Sequence, residues 1–207
     1  MAHDRHGAAA IAAREAEITG KPQRIGEVAA ESLDGEALAL IDRVRASAGS
    51  GPAAHIPGYF LTMIKHPGIF RGQLELGTTI FRGALPARER ELAVLRVGWL
   101  CRAPYEWGEH VDIGKRCGLS ADEVARIQQG SDAPGWSRHD RAILAAVEEL
   151  LDDQMIGDDT WAVLAESWTE AQLIEFPMMI GQYVATAYVQ NTLRIRLAED
   201  NPGLTYR

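Results

Sequence analysis

"LPARERELAVLRVGWLCRAPYEWGEHVDIGKRCGLSADEVARI", Leu85 to Ile127, carries the start and stop signals of three helices in a row. Pro86 stands at a favoured first-turn position, and Arg88–Leu100 follows it. Leu92, Leu95, Val97 and Trp99 make that helix largely apolar, with Glu91 and Arg96 set among them. Pro104 opens a second helix. It closes at Cys117-Gly118, where glycine supports a left-handed cap. Ser120 with Glu123 forms a capping-box pattern for a third helix up to Gln129.

Helical signals continue on both sides. Upstream, Glu36–Ala46 places Leu38, Ile41 and Val44 at helical spacing, and Gly49-Ser50-Gly51-Pro52 reads as a loop. Tyr59–Lys65 and Gly68–Arg82 read as two helices parted by His66-Pro67. Downstream, Ser137 with Asp140 starts a helix over Arg138–Asp152. Asp158 or Asp159 is expected to cap Thr160–Ser167. Thr169 with Gln172 is a further capping box, opening a segment to about Ala198 in which Pro177 predicts a kink or break. Alternating strand patterns are nearly absent. The expectation is an all-α bundle of about eight or nine helices.

Residues 1–22 are Ala-rich and charged and end in Gly20-Lys21-Pro22. They read as an arm, flexible or docked on a neighbouring subunit, ahead of a single domain over residues 23–207. The 207 residues suffice for one good core. A formal net charge of -8 argues against nucleic acid or an anionic membrane as partner, since both need a basic face. No run of about 18 apolar residues predicts a spanning helix. The first residues do not read as a secretory signal, and two cysteines make no disulfide framework, so a cytoplasmic location is expected.

Chemistry concentrates in "RAPYEWGEH", Arg102–His110. Glu106 and His110 are four apart and share a helix face, with Cβ atoms about 5–6 Å apart. A carboxylate beside an imidazole favours imidazolium or fixes a tautomer, which suits proton transfer. The same spacing also describes an ordinary surface ion pair, and Tyr105 and Trp107 serve equally as packing anchors. Metal and cofactor signals are weak. There is no H-E-x-x-H, phosphate loop, G-x-G-x-x-G or G-x-S-x-G, and His3, His6, His55, His66 and His139 are scattered. No metal and no cofactor are expected. Cys101 and Cys117 lie too far apart for a C-x-x-C pair.

The 85–127 stretch resembles the carboxymuconolactone decarboxylase-like family, which shares its fold with the AhpD-type alkylhydroperoxidases. "PQRIGEV" and "HPGIFRGQLELG" before it are similar to the family's N-terminal half. "GWSRHDRAILAAVEELLDD", "IGDDTW" and "QLIEFPMMIGQYVATAYVQN" are similar to its C-terminal half, so the resemblance runs from about Pro22 to Glu199. It implies a helical bundle assembled as a homotrimer or homohexamer and a small-molecule substrate. The peroxidase branch carries C-x-x-C four residues ahead of a histidine; here those cysteine positions are Ala103 and Glu106, while the upstream glutamate falls on Glu91. A thiol peroxidase needs both thiols. The departure therefore implies the decarboxylase-like branch, with Glu91, Glu106 and His110 as a proton-handling cluster. Arg96 is then expected to pair with a substrate carboxylate or to be a structural ion pair. Tyr105 or Tyr183 would steady an oxyanion, and Gln182, Tyr183 and Asn191 would line the pocket, with inter-helix bonding as the alternative for Asn191. An AhpD-like peroxidase and a non-catalytic oligomeric binding protein remain the competing readings.

Overall fold

The computed structural model describes residues 6–47 and 56–206, without the side chains of Val44 and Ser47. His3, His55, the loop at 49–52 and the packing expected of Val44 lie outside the described residues. Among the described residues the chain is all-helical, with ten α-helices and no strand.

Helix α1 (Ala8–Thr19) buries Ile11 and Ile18, and its Glu15 accepts a hydrogen bond from the backbone N–H of Leu204. Helices α2 (Gly35–Ser47), α3 (Gly58–Met63) and α4 (Pro67–Phe81) follow. In α2 the buried face is Ala37, Leu40 and Ile41; Leu38, expected inside, is exposed.

The centre is the hairpin of α5 (Ala87–Leu100) and α6 (Pro104–Arg116), joined by three residues. Every residue from Arg90 to Trp99 is buried. A helix buried on all sides forces each of its charged groups to find a partner. Glycine lets the two helices approach. A Cβ at Gly98 would stand 3.4 Å from the Trp107 nitrogen, and one at Gly114 would stand 3.0 Å from Leu119 and 3.2 Å from Leu95. The link turns through Arg102 at φ 47, and Gly118 ends α6 at φ +101 as expected. Pro86 itself is the N-cap of α5, one residue ahead of the helix.

Helices α7 (Ala121–Ile127), α8 (Arg138–Asp152) and α9 (Asp158–Ala165) complete the far side. The capping box at Ser120 forms, and Ser137 accepts from the Asp140 N–H. The expected cap of α9 does not: Gly157 is the N-cap, and its N–H donates to Glu149 while Asp158 and Asp159 lie inside the first turn. A neighbouring carboxylate replaces the local cap. Helix α10 (Glu170–Leu193) runs unbroken through Pro177. The proline falls in its second turn, behind a complete capping box at Thr169, and the loss of one N–H is offset by the burial of Phe176, Met179 and Ile180. It ends at Arg194, in the left-handed region at φ 55, earlier than the sequence pattern suggests.

Two hydrophobic clusters result. The larger is built on α5, α6, α8 and α10; the smaller joins Leu40, Ile41, Tyr59, Met63, Phe70, Leu74, Tyr105 and Ile195.

Candidate active site

A cavity of about 190 Å³ lies where the two clusters meet. Tyr59, Leu74 and Tyr105 reach it from the smaller cluster and Tyr183 from the larger. The volume is below that of most drug-sized sites, so it suits a small ligand.

Glu106 and His110 open onto this space from α6. Behind them, Glu91 of α5 is fully buried. His110 Nδ1 stands 2.7 Å from Glu91 Oε2, and Glu91 Oε1 accepts from Arg90 Nε at 2.9 Å. Arg90 lies over the Phe81 ring at 4.5 Å. The imidazole is thus fixed from behind, and its other nitrogen faces forward. Nε2 stands 3.8 Å from Glu106 Oε1, beyond a hydrogen bond, and that oxygen is buried without a hydrogen-bond partner among the described residues. The Tyr183 ring meets the imidazole edge-on at 5.1 Å.

Burial and charge set unusual proton affinities. For Glu106, burial is the main cause and lifts the carboxyl to about 7, against lowering by His110 and a hydrogen bond from Gln190. For Glu91, burial works upward, yet His110 and Arg90 together hold it below the usual carboxylate range. Burial alone would depress His110, but Glu91, then Glu106 and Glu109, raise it above the ordinary imidazole value. An ionised Glu91, a His110 that holds its proton more firmly than an ordinary imidazole and a Glu106 poised near neutrality follow. Glu91 is committed to Arg90 and His110, and among the described residues no group of three or more His, Cys, Asp or Glu side chains is arranged to hold a metal ion.

Of the residues singled out from sequence, Glu91, Glu106, His110, Tyr105, Gln182 and Tyr183 come together around the cavity. Three do not. The Arg96 guanidinium is paired with Glu148 and donates to the carbonyls of Ile127 and Gln128, which closes α7 against α8. That is the structural ion pair of the two readings, with Glu148 as the acid. Trp107 is fully buried, and its Nε1 donates to the Tyr206 carbonyl. Asn191 donates to the Cys101 carbonyl, tying α10 to the hairpin link.

Several lining residues escaped the sequence reading. Tyr59 donates to Gln73 Oε1 at 2.8 Å, and Gln73 Nε2 donates to Thr186 Oγ1 at 2.9 Å. Arg45 and Gln190 also line the space. Gln190 carried a usable signal, since it follows Tyr183 by seven residues and shares its helix face. Tyr59, Gln73 and Arg45 come from three different helices, and no local pattern joins them.

Residues 67–149 match the model of the carboxymuconolactone decarboxylase family. Over that region the chain is similar to this family. The matched span runs from the start of α4 into α8 and holds Glu91, Glu106 and His110. The AhpD-like fold extends further. The chain is similar to the alkylhydroperoxidase AhpD core of a peroxidase-related protein from Ralstonia eutropha, with 18% identity over 87% of this chain and 95% of that one (TM-score 0.73). A peroxidase-related protein from Silicibacter sp. is 11% identical over 88% and 95% (TM-score 0.72). The debrominase Bmp8 is 14% identical over 86% and 93% (TM-score 0.71). Likeness at these identities is a likeness of fold. No curated protein matches the chain. No helix among the described residues is long and apolar enough to cross a membrane.

Proposed function

We propose that the chain is a cofactor-independent carbon–carbon lyase that removes carbon dioxide from a small unsaturated lactone acid, or catalyses a closely related proton-transfer step on such an acid. The observation that carries this reading is the row Arg90–Glu91–His110 ending at a cavity beside the buried, near-neutral carboxyl of Glu106. In the reaction, the bond between ring carbon and carboxylate breaks. Its electron pair enters the unsaturated ring and rests on the lactone carbonyl oxygen, carbon dioxide leaves, and one proton is added to the ring carbon. His110 Nε2 donates that proton, with Glu91 fixing the ring and Glu106 exchanging protons with it. Tyr183 and Tyr105 support the enolate-like oxygen. Phe60 and Phe81 line the cavity and desolvate the departing carboxylate, while Arg45, also in the lining, takes the place first given to Arg96. The substrate supplies its own electron sink, so no cofactor is needed.

The thiol reading has less support. Burial, reinforced by Glu106, pushes the Cys101 thiol up to about 11, which keeps it protonated at neutral pH. Burial also raises Cys117. The peroxidase-related and debrominase neighbours lend their activities only as analogies of fold. We further propose that the protein works in the cytoplasm as a homotrimer or homohexamer.

The test is product analysis by mass spectrometry over a panel of carboxylated lactones. Loss of carbon dioxide is expected, with Glu106→Gln and His110→Ala each lowering kcat by roughly 10²–10⁴ while helicity is kept. Full activity in either variant, or peroxide turnover that disappears in Cys101→Ser/Cys117→Ser, would overturn the reading.

A further inference from the structure

The outward face of α10 has the wrong composition for a free surface. Its exposed positions from 171 to 188 are Ala171, Ile174, Met178, Gly181, Ala185 and Tyr188, without one charged group. Ile174 is 69% exposed, Met178 57% and Tyr188 65%. The opposite face packs Phe176, Met179, Ile180, Tyr183 and Ala187 into the core. An apolar helix face belongs in an interior, yet this stripe of α10 has no cover among the described residues.

The spacing says what covers it. The steps along the face are three, four, three, four and three residues, the 3.5-residue seam along which one helix packs on another. The sizes say which helix. If a second α10 is laid antiparallel about a twofold axis between Met179 and Ile180, position 171 meets 188, 174 meets 185 and 178 meets 181. Every pair then sets a large side chain against a small one: Tyr188 on Ala171, Ile174 on Ala185, Met178 on Gly181. A parallel arrangement instead sets Ile174, Met178 and Tyr188 each against its own copy and leaves the small residues facing gaps. A groove flanks the C-terminal half of the seam; Leu100, Leu151, Val184 and Tyr188 form its apolar part, and Arg102, Glu148, Glu149 and Asp152 its charged part.

We propose that two copies of this chain pair antiparallel through the outer faces of α10, the same patch on each. The contact backs the helix that presents Tyr183, Thr186 and Gln190 to the cavity. A lone trimer has no twofold axis, so of the two assemblies proposed above the seam selects the hexamer, with a plain dimer as the smaller even assembly. The pairing does not depend on the reaction catalysed.

Sedimentation velocity of the full chain gives the first test: a dimer or hexamer is expected. A Cβ at Gly181 meets nothing within 4 Å in the single chain, so Gly181→Leu leaves the fold unstrained while blocking Met178 of the second copy. It should halve the mass, dimer to monomer or hexamer to trimer. A wild-type trimer or monomer, or an unchanged mass in Gly181→Leu, would overturn the pairing. The second test is oxidation in a Cys101→Ser/Cys117→Ser background. Positions 174 and 185 of one helix stand about 16 Å apart, too far to bridge. Ile174→Cys/Ala185→Cys should therefore form a covalent dimer, and neither single variant should. Crosslinking of either single variant, or none in the double, contradicts the antiparallel arrangement.

Discussion

Helix α5 offers two glutamates two residues apart, and each meets a histidine. Glu91 holds His110 at 2.7 Å, and Glu89 meets His139 at 3.3 Å. Each imidazole is also edge-on to an aromatic ring, Tyr183 at 5.1 Å and Trp168 at 5.5 Å, both at 87°. Burial separates them. The side chains of Glu91 and His110 are 0% and 10% exposed, those of Glu89 and His139 22% and 27%. The outer pair is shared with Trp168 Nε1 and the Ser167 hydroxyl and ties the start of α5 to the end of α9. The inner pair is locked by Arg90 and faces an unpartnered carboxylate oxygen. The same residue types therefore make a surface tether in one place and, in the proposed function, a proton-handling centre in the other.

Breaking the two pairs should give very different results. Glu91→Gln leaves Arg90 and His110 buried without their counter-charge, and should cost about 3–5 kcal/mol of stability along with most of the turnover. Glu89→Gln should cost about 1 kcal/mol or less and leave kcat within a factor of about two. Denaturant unfolding of both variants, with steady-state rates, checks the contrast; equal losses would erase it.

The inner site should also mark the pH dependence of stability. The folded chain binds the Glu106 proton more tightly than the unfolded chain, because burial raises this carboxyl from 4.5 to about 7. The group therefore favours folding fully below about pH 4.5, and that contribution is lost as pH rises through about 7. Relative to Glu106→Gln, the wild type should lose on the order of 2–3 kcal/mol across that window. Parallel stability curves would remove the buried, raised carboxyl from the account. His139→Ala, at the outer pair, should leave the pH–rate profile unmoved and lower Tm by only a few degrees.

Much of the fold was legible because its signals are local. The bounds of α8 and the capping boxes of α7 and α10 need only a few neighbouring residues. Where a distant group takes over, local reading fails: Glu149 serves the start of α9, and Arg96 turns to Glu148, 52 positions away. That Glu91, Glu106 and His110 would meet in the candidate site was legible because Glu106 and His110 share one helix and the family resemblance singles out Glu91. The site's far wall was not, since Tyr59, Gln73 and Arg45 meet only through tertiary packing.

The central claim is that Glu106 is a buried carboxyl poised near neutrality beside an imidazole fixed by Glu91. It is tested most directly by following the side-chain carboxyl carbon of ¹³C-labelled Glu106 by NMR across pH, assigned by its loss in Glu106→Gln. A titration centred near 7 is the result expected, and a midpoint near 4.5 would contradict it.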